Sequence, residues 1–83
     1  ELNPEYSEAY TNKGNALLDF NQINEAIECF NISIKIKPEN SEAYNSKGKA
    51  LSILNQKDEA IECFYRAIEI NPEFLNAYYN TGN

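Results

Sequence analysis

The stretch EAIECF occupies residues 25–30 and recurs unchanged at residues 59–64, 34 positions later. Further out, SEAY at residues 7–10 returns at residues 41–44 with the same step. The three prolines also keep this step, at Pro4, Pro38 and Pro72. A fixed period of about 34 residues is typical of an array of stacked repeats and not of a single globular core. The functional question therefore concerns an extended surface more than an enclosed pocket.

The composition excludes several classes of function. The 83 residues carry a net charge of −6 and include no histidine. Nucleic acids and acidic membranes are bound through clusters of Lys and Arg, so we expect neither as a partner. A Cys–His nucleophile and a Cys/His zinc site both need histidine, and no Gly-rich phosphate loop is present. We therefore expect no enzymatic activity, no metal and no cofactor.

The two cysteines, Cys29 and Cys63, occupy the same position in successive units. Equivalent atoms of stacked helices are roughly 9–10 Å apart. A disulfide requires Cα atoms within about 7 Å. We predict that both residues are reduced and packed in the core, which favours an intracellular, cytoplasmic protein.

Apolar residues within each unit follow helical spacing, with breaks that predict two helices per unit. Asn21 and Asn55 stand where the first helix must end, because asparagine tolerates the left-handed conformation. Asn24 and Asp58 are predicted to cap the second helices. The pattern predicts helices at residues 7–20, 24–36, 41–54, 58–70 and 75–83. The short connections between them predict antiparallel neighbours.

Gly14 and Gly48 fall in the middle of predicted helices. Glycine at such a position costs about 1 kcal/mol relative to alanine. This cost is tolerated where a second helix must approach closely, and we expect Ala26 and Ala60 to make that approach. Two turns after Ala26, the hydroxyl of Ser33 is expected to bond to the preceding turn of its own helix.

Several of these residues resemble the tetratricopeptide repeat, a 34-residue helix–turn–helix unit. The matching positions are Tyr10, Gly14, Ala26, Phe30, Ser33 and Pro38, then Tyr44, Gly48, Ala60, Phe64, Ala67 and Pro72. The resemblance implies an all-α fold in which antiparallel helix-turn-helix repeats stack as a right-handed α-solenoid. It implies one domain over residues 1–83. Its parts are the tail of a preceding repeat (1–6), two full repeats (7–40 and 41–74) and the start of a third (75–83).

In that family the first helices line a concave groove, which implies a protein–protein interaction scaffold that binds a peptide of a partner. The corresponding residues here are Glu8, Thr11, Asn12, Asn15, Asp19, Glu42, Asn45, Ser46, Lys49, Ser52, Asn76, Tyr79 and Asn80. Asparagine dominates this set, and an amide can both donate to and accept from a peptide backbone.

Some relatives clamp a C-terminal carboxylate with Lys, Asn and Arg. Only Asn15 matches that set, because the other four positions hold Thr11, Ser46, Asn76 and Asn80. An anionic peptide tail is therefore not expected as a ligand.

Two alternatives remain open. Asparagine is also abundant away from the groove, so the polar strip could be a solvated face that binds nothing. The chain could also be a structural spacer or self-assembly module, in which helix 7–20 of one copy meets segment 75–83 of another end to end.

On the second helices, Glu62 and Arg66 are expected to form an exposed ion pair.

Overall fold

The computed structural model describes residues 3–74, which form four α-helices and a short 3₁₀ turn. The helices are α1 (Pro4–Asp19), α2 (Ile23–Ile36), α3 (Ser41–Ile53) and α4 (Lys57–Ile70), and the 3₁₀ turn is Pro72–Phe74. Residues 3–74 contain no strand. The predicted all-α fold of helix pairs is confirmed. The helix predicted at residues 75–83 lies outside the described residues.

The turn within each helix pair depends on an asparagine in the left-handed conformation. Asn21 has φ 64° and Asn55 has φ 66°, as the sequence predicts. After α1, the backbone N–H of Gln22 donates to the carbonyl of Leu17 at 2.8 Å. In the second helix pair, the backbone N–H of Gln56 donates to the carbonyl of Leu51 at 2.9 Å. These bonds satisfy carbonyls that the helix end leaves without a partner. The chain therefore reverses within a few residues.

The predicted caps of the second helices are wrong. Both α2 and α4 begin one residue before Asn24 and Asp58, which lie inside the first turn. The capping positions hold Gln22 and Gln56, and neither side chain forms a capping hydrogen bond. Glutamine is not among the residues that cap helices well, and it stands here between the left-handed asparagine and the first helical residue.

The first and third helices begin differently although they occupy equivalent places. Asn3 caps α1 by accepting a backbone N–H at 2.9 Å, and Pro4 takes the first helical position, three residues earlier than predicted. Proline suits that position because its missing N–H has no helical partner there. The residue 34 positions after Asn3, before α3, is Lys37, which has no side-chain acceptor. Helix α3 begins only after Asn40, whose side-chain oxygen accepts a backbone N–H at 3.1 Å.

The core runs continuously from one helix pair into the next. Helix α1 packs on α2, α2 on α3, and α3 on α4. Phe30 and Phe64 are buried at equivalent positions of the two repeats. Ile27 contacts the core cluster of each repeat. Ile27 is half-buried, so it contributes only part of the roughly 1.5–3 kcal/mol of a fully buried side chain, but it does so against both repeats.

The glycines allow aromatic rings to approach the first helices. A Cβ on Gly14 would lie 2.5 Å from a ring atom of Phe30, and one on Gly48 would lie 2.6 Å from Phe64. Real Cβ atoms do not come so near to another heavy atom. The close approach predicted for alanines of the facing helix is therefore made by the phenylalanines.

Cys29 and Cys63 are buried free thiols, as predicted. Burial raises the pKa of Cys63 above its ordinary value of 9.0, because the thiolate loses hydration. The ammonium of Lys47 opposes this effect, and the carboxylates of Glu59 and Glu62 add to it.

Candidate functional site

A depression of about 470 Å³ lies between α1 and α3, the first helices of the two repeats. Its lining residues are Asn15, Leu18, Asp19, Glu42, Asn45, Ser46 and Lys49. Residues three and four apart share a helix face, so each wall is a single stripe of side chains. The volume is within the range of roughly 300–1,000 Å³ that is typical of ligand sites. Six of the seven lining residues are among the groove residues predicted from the sequence.

Leu18 is the lining residue that the sequence pattern does not identify. It is half-buried and packs against the core cluster that contains Phe30 and Ala50. Leu18 lies three residues after Asn15 and next to Asp19, so its position on that face of α1 could have been inferred. A leucine in an amphipathic helix is assigned to the core first, and here it serves both the core and the depression.

Thr11 is not available to a ligand in the groove. It is only 2% exposed, and its hydroxyl lies 2.7 Å from that of Ser33 and 3.2 Å from the Asn40 amide nitrogen. Together with Ser7, these residues form a buried polar cluster (Ser7, Thr11, Ser33 and Asn40). The threonine turns inward because Ser33 offers it a partner inside the helix pair. Ser33 bonds across to α1, and not to its own preceding turn as predicted.

The other predicted groove residues lie outside the depression. Glu8 and Asn12 are exposed on α1, and Ser52 is half-buried on α3. None of the three lines the depression. The remaining predicted groove residues, Asn76, Tyr79 and Asn80, lie outside the described residues.

Asn45 and Ser46 are the most buried lining residues of the depression, with 6% and 5% of their surface exposed. Within residues 3–74 neither side chain forms a hydrogen bond. In that part of the chain, every side-chain nitrogen or oxygen that is sealed from solvent and belongs to a non-exposed residue has a partner. The polar atoms of Asn45 and Ser46 are therefore not sealed from solvent, and both residues line the depression. Their hydrogen-bonding capacity is left for water or a ligand.

Three charged side chains line the depression, namely Asp19, Glu42 and Lys49. All three residues are exposed. Among the described residues, none of them has an oppositely charged partner within 4.0 Å. The net charge of the depression is −1, from two carboxylates and one ammonium group. Both carboxylates are free to meet a cation from outside.

Arg66 on α4 pairs with Glu69 at 3.5 Å and not with the predicted Glu62. Its guanidinium also lies 5.9 Å from the centre of the Tyr44 ring. Attraction to the face of the ring is consistent with the position of the guanidinium. None of these residues lines the depression.

A second depression, of about 590 Å³, is lined by the consecutive residues Asn55, Gln56, Lys57, Asp58 and Glu59. Although it is larger, it lies along a single turn between α3 and α4. Ligand sites are usually formed by groups that converge from separate elements. The depression between α1 and α3 is therefore the stronger candidate.

Two further surveys cover the described part of the chain. Residues 3–74 contain no group of three or more His, Cys, Asp or Glu side chains placed to hold a metal ion. Each of their helices is too short or too polar to cross a membrane.

Comparison with known proteins gives one family match. The family model described as tetratricopeptide repeat matches residues 7–40 and, a second time, residues 41–74. The two matches together span well over half of the chain. None of the curated proteins compared with the chain matches it.

Proposed function

Since the chain belongs to the tetratricopeptide repeat family, whose members generally mediate protein–protein interaction, we propose that it binds a peptide segment of a partner in the groove between α1 and α3. The observation that carries the proposal is the state of Asn45. This residue is almost completely buried, its side chain makes no hydrogen bond within residues 3–74, and it lines the depression.

The chemistry of the groove supports an extended peptide as the ligand. A peptide backbone offers N–H donors and C=O acceptors in alternation. Asn45 and Asn15 each carry both kinds of group, and the hydroxyl of Ser46 can serve as either. Burial restricts the rotamers of Asn45 before a ligand arrives, so less conformational entropy is lost on binding. The groove would therefore recognise main-chain atoms over a wide range of sequences.

The family is typically a non-catalytic interaction module, and our proposal is likewise non-catalytic. It includes no nucleic-acid partner, because the net charge of −6 would repel a phosphate backbone. It also places the protein in the cytoplasm, where the free thiols of Cys29 and Cys63 would stay reduced.

A peptide array tests the proposal directly. The full chain would be labelled and incubated with an array of 12-residue peptides of varied composition. Binding should fall at least fivefold when Asn15 and Asn45 are both changed to alanine. The matched control is Asn31→Ala, which removes an exposed amide on α2, outside the groove. The proposal fails if no peptide binds, or if the peptides bind the double variant as well as the parent.

One observation favours the alternative of end-to-end assembly. Ala43 and Ala50 of α3 are fully buried within the structure. Their equivalents on α1, Ala9 and Ala16, are exposed. Phe20, which directly follows α1, is 77% exposed, which is unusual for so large an apolar residue. The exposed face of α1 that carries Ala9 and Ala16 corresponds to the face of α3 that the second repeat buries against the first. A second copy of the chain could cover it.

Sedimentation across a concentration series tests the alternative. Association of the parent chain should be reduced by Phe20→Ser. The control is Ile32→Ser, which changes another exposed apolar residue, on α2 and away from this face. A parent chain that stays monomeric at all concentrations would count against self-assembly and would leave the peptide proposal intact.

A further inference from the structure

We infer that the depression between α1 and α3 receives a basic side chain, Lys or Arg, of the bound peptide, held between the carboxylates of Asp19 and Glu42. This inference rests on the proposed peptide binding and adds the chemical class of the ligand. It concerns a cationic residue, in contrast to the anionic tails that some relatives clamp.

The two carboxylates come from different helices and line one depression. Asp19 is the last residue of α1, and Glu42 lies in the first turn of α3. Lys49 lines the same depression, but no ion pair within 4.0 Å joins it to either of them. Both carboxylates are negatively charged, so each of them attracts a cation that enters the depression.

The fold itself gives no reason for a carboxylate at Asp19. The C-terminal end of a helix carries a partial negative charge, so an acidic residue there is unfavourable. The last turn of α1 contains no basic residue that would offset it. Glu42 differs, because a negative side chain in the first turn of α3 is favourable for that helix. Asp19 is therefore the residue whose presence a ligand explains best.

Asn45 gives independent evidence that the depression accommodates a ligand. This side chain is 94% buried, lines the depression and has no hydrogen-bond partner within residues 3–74. It lies one helical turn after Glu42 on the same face of α3. Its side-chain oxygen can accept an N–H from the peptide backbone or from the basic head group. Asn45 and the two carboxylates thus offer three acceptors to one cationic residue.

The remaining lining residues fit a long basic side chain. Leu18 adds an apolar surface beside Asp19, against which the methylene groups of Lys or Arg could pack. The depression carries a net charge of −1, so one basic residue would neutralise it. The chain as a whole, at −6, attracts cationic peptides from a distance.

The test uses the full 83-residue chain and pairs of array peptides that differ only by Lys or Arg against Gln. The parent should bind the basic member of each pair more tightly, by about fivefold for a single exposed ion pair. The double variant Asp19→Asn/Glu42→Gln should lose this preference, so that it binds the two members of each pair equally. The preference of the parent should also shrink at high salt, because salt screens exposed charges.

The matched control is Glu28→Gln/Glu62→Gln. It removes two exposed carboxylates from the second helices, so it changes the net charge equally without touching the groove. The control should keep the preference of the parent. If the control variant loses as much of the preference for basic peptides as the groove variant does, the preference comes from overall charge and the inference is wrong.

Other outcomes separate this inference from the proposed function. Peptide binding that needs Asn15 and Asn45 but shows no preference for Lys or Arg overturns the inference alone. A preference for peptides that contain Asp or Glu would also overturn the inference. If no peptide binds, both fail. Asp19→Asn should leave the urea midpoint unchanged or raise it, whereas a structural role for Asp19 would lower it.

Discussion

Ser33 and Ser7 are joined by two reciprocal hydrogen bonds between the first pair of helices. The Ser33 hydroxyl donates to the Ser7 carbonyl at 2.7 Å, and the Ser7 hydroxyl donates to the Ser33 carbonyl at 2.9 Å. The amide of Asn40 donates to both hydroxyls, and its oxygen caps α3. One polar cluster therefore fastens α1, α2 and the start of α3. The second repeat has Ala67 in place of Ser33 and lacks an equivalent hydroxyl.

Ser33→Ala should lower the free energy of unfolding by about 1–3 kcal/mol, because it leaves buried polar groups without partners. Urea denaturation followed by circular dichroism measures this loss. The matched control is Ser46→Ala, another buried serine, whose hydroxyl makes no hydrogen bond within residues 3–74. It should change stability by no more than about 0.5 kcal/mol. Equal losses in both variants would mean that the cluster adds nothing beyond packing.

The polar cluster shows where sequence reasoning stops. A serine within a helix is expected to bond to its own preceding turn, because that partner is always within reach. The partner that Ser33 uses is 26 residues away, and Asn40 reaches Ser7 across 33 residues. Such long-range pairs depend on how α1 and α2 are placed, which the repeat pattern fixes only approximately. The prediction that Thr11 faces the groove fails for the same reason, because its partner Ser33 is 22 residues away in the sequence.

The repeat pattern does predict the parts that depend on local spacing. The left-handed turns at Asn21 and Asn55 follow from it, whereas the face that holds Asn15, Asp19 and Asn45 is implied by the family resemblance. The first residues of the helices do not follow from the repeat pattern, because they depend on single substitutions between repeats. Lys37 stands 34 positions after Asn3 and cannot cap α3 as Asn3 caps α1.

Gly48→Ala should destabilise the fold although alanine is the better helix former. The new Cβ would lie 2.6 Å from the Phe64 ring, which is itself buried and cannot move freely. Overpacking of this kind costs about 1–3 kcal/mol, against a gain of about 1 kcal/mol in helix propensity. We expect a net loss, measured as a lower urea midpoint.

A double-mutant cycle tests the cause of that loss. Phe64→Leu removes the ring that the new methyl group would meet. Gly48→Ala should therefore be less harmful in the Phe64→Leu background than in the parent. Strictly additive losses would show that the ring is not the obstacle.

The left-handed asparagines give a prediction about backbone strain. Asn55→Ala should cost about 1 kcal/mol or more, because residues with a Cβ and no local polar group rarely adopt φ near 66°. Asn55→Gly should be neutral or stabilising, since glycine adopts this conformation freely. Thermal or urea unfolding of the two variants provides the comparison. If Asn55→Gly is no more stable than Asn55→Ala, the side-chain amide of Asn55 stabilises the fold by some means other than its tolerance of this conformation.

The Cys63 thiol should react slowly with alkylating reagents. Only the thiolate is the nucleophile, and burial raises the pKa of this thiol above 9.0. In the Cys29→Ala variant, where Cys63 is the sole thiol, the iodoacetamide reaction should reach half its maximal rate above pH 9.0. The same variant in urea provides the unfolded reference. A folded midpoint at or below the unfolded one would contradict the effect of burial.

The same thiol should make stability depend on pH in the alkaline range. The folded state has the higher pKa and therefore keeps its proton to higher pH than the unfolded chain. The contribution of Cys63 to stability is thus complete below about pH 9.0, and is lost as the pH rises through the folded pKa. The slope is at most about 1.4 kcal/mol per pH unit. Urea midpoints at pH 7 and pH 10, with reductant present, should fall further for the parent than for Cys63→Ala. The two proteins differ only at position 63, so the difference between their losses isolates Cys63. Parallel losses would show that burial does not act on this thiol.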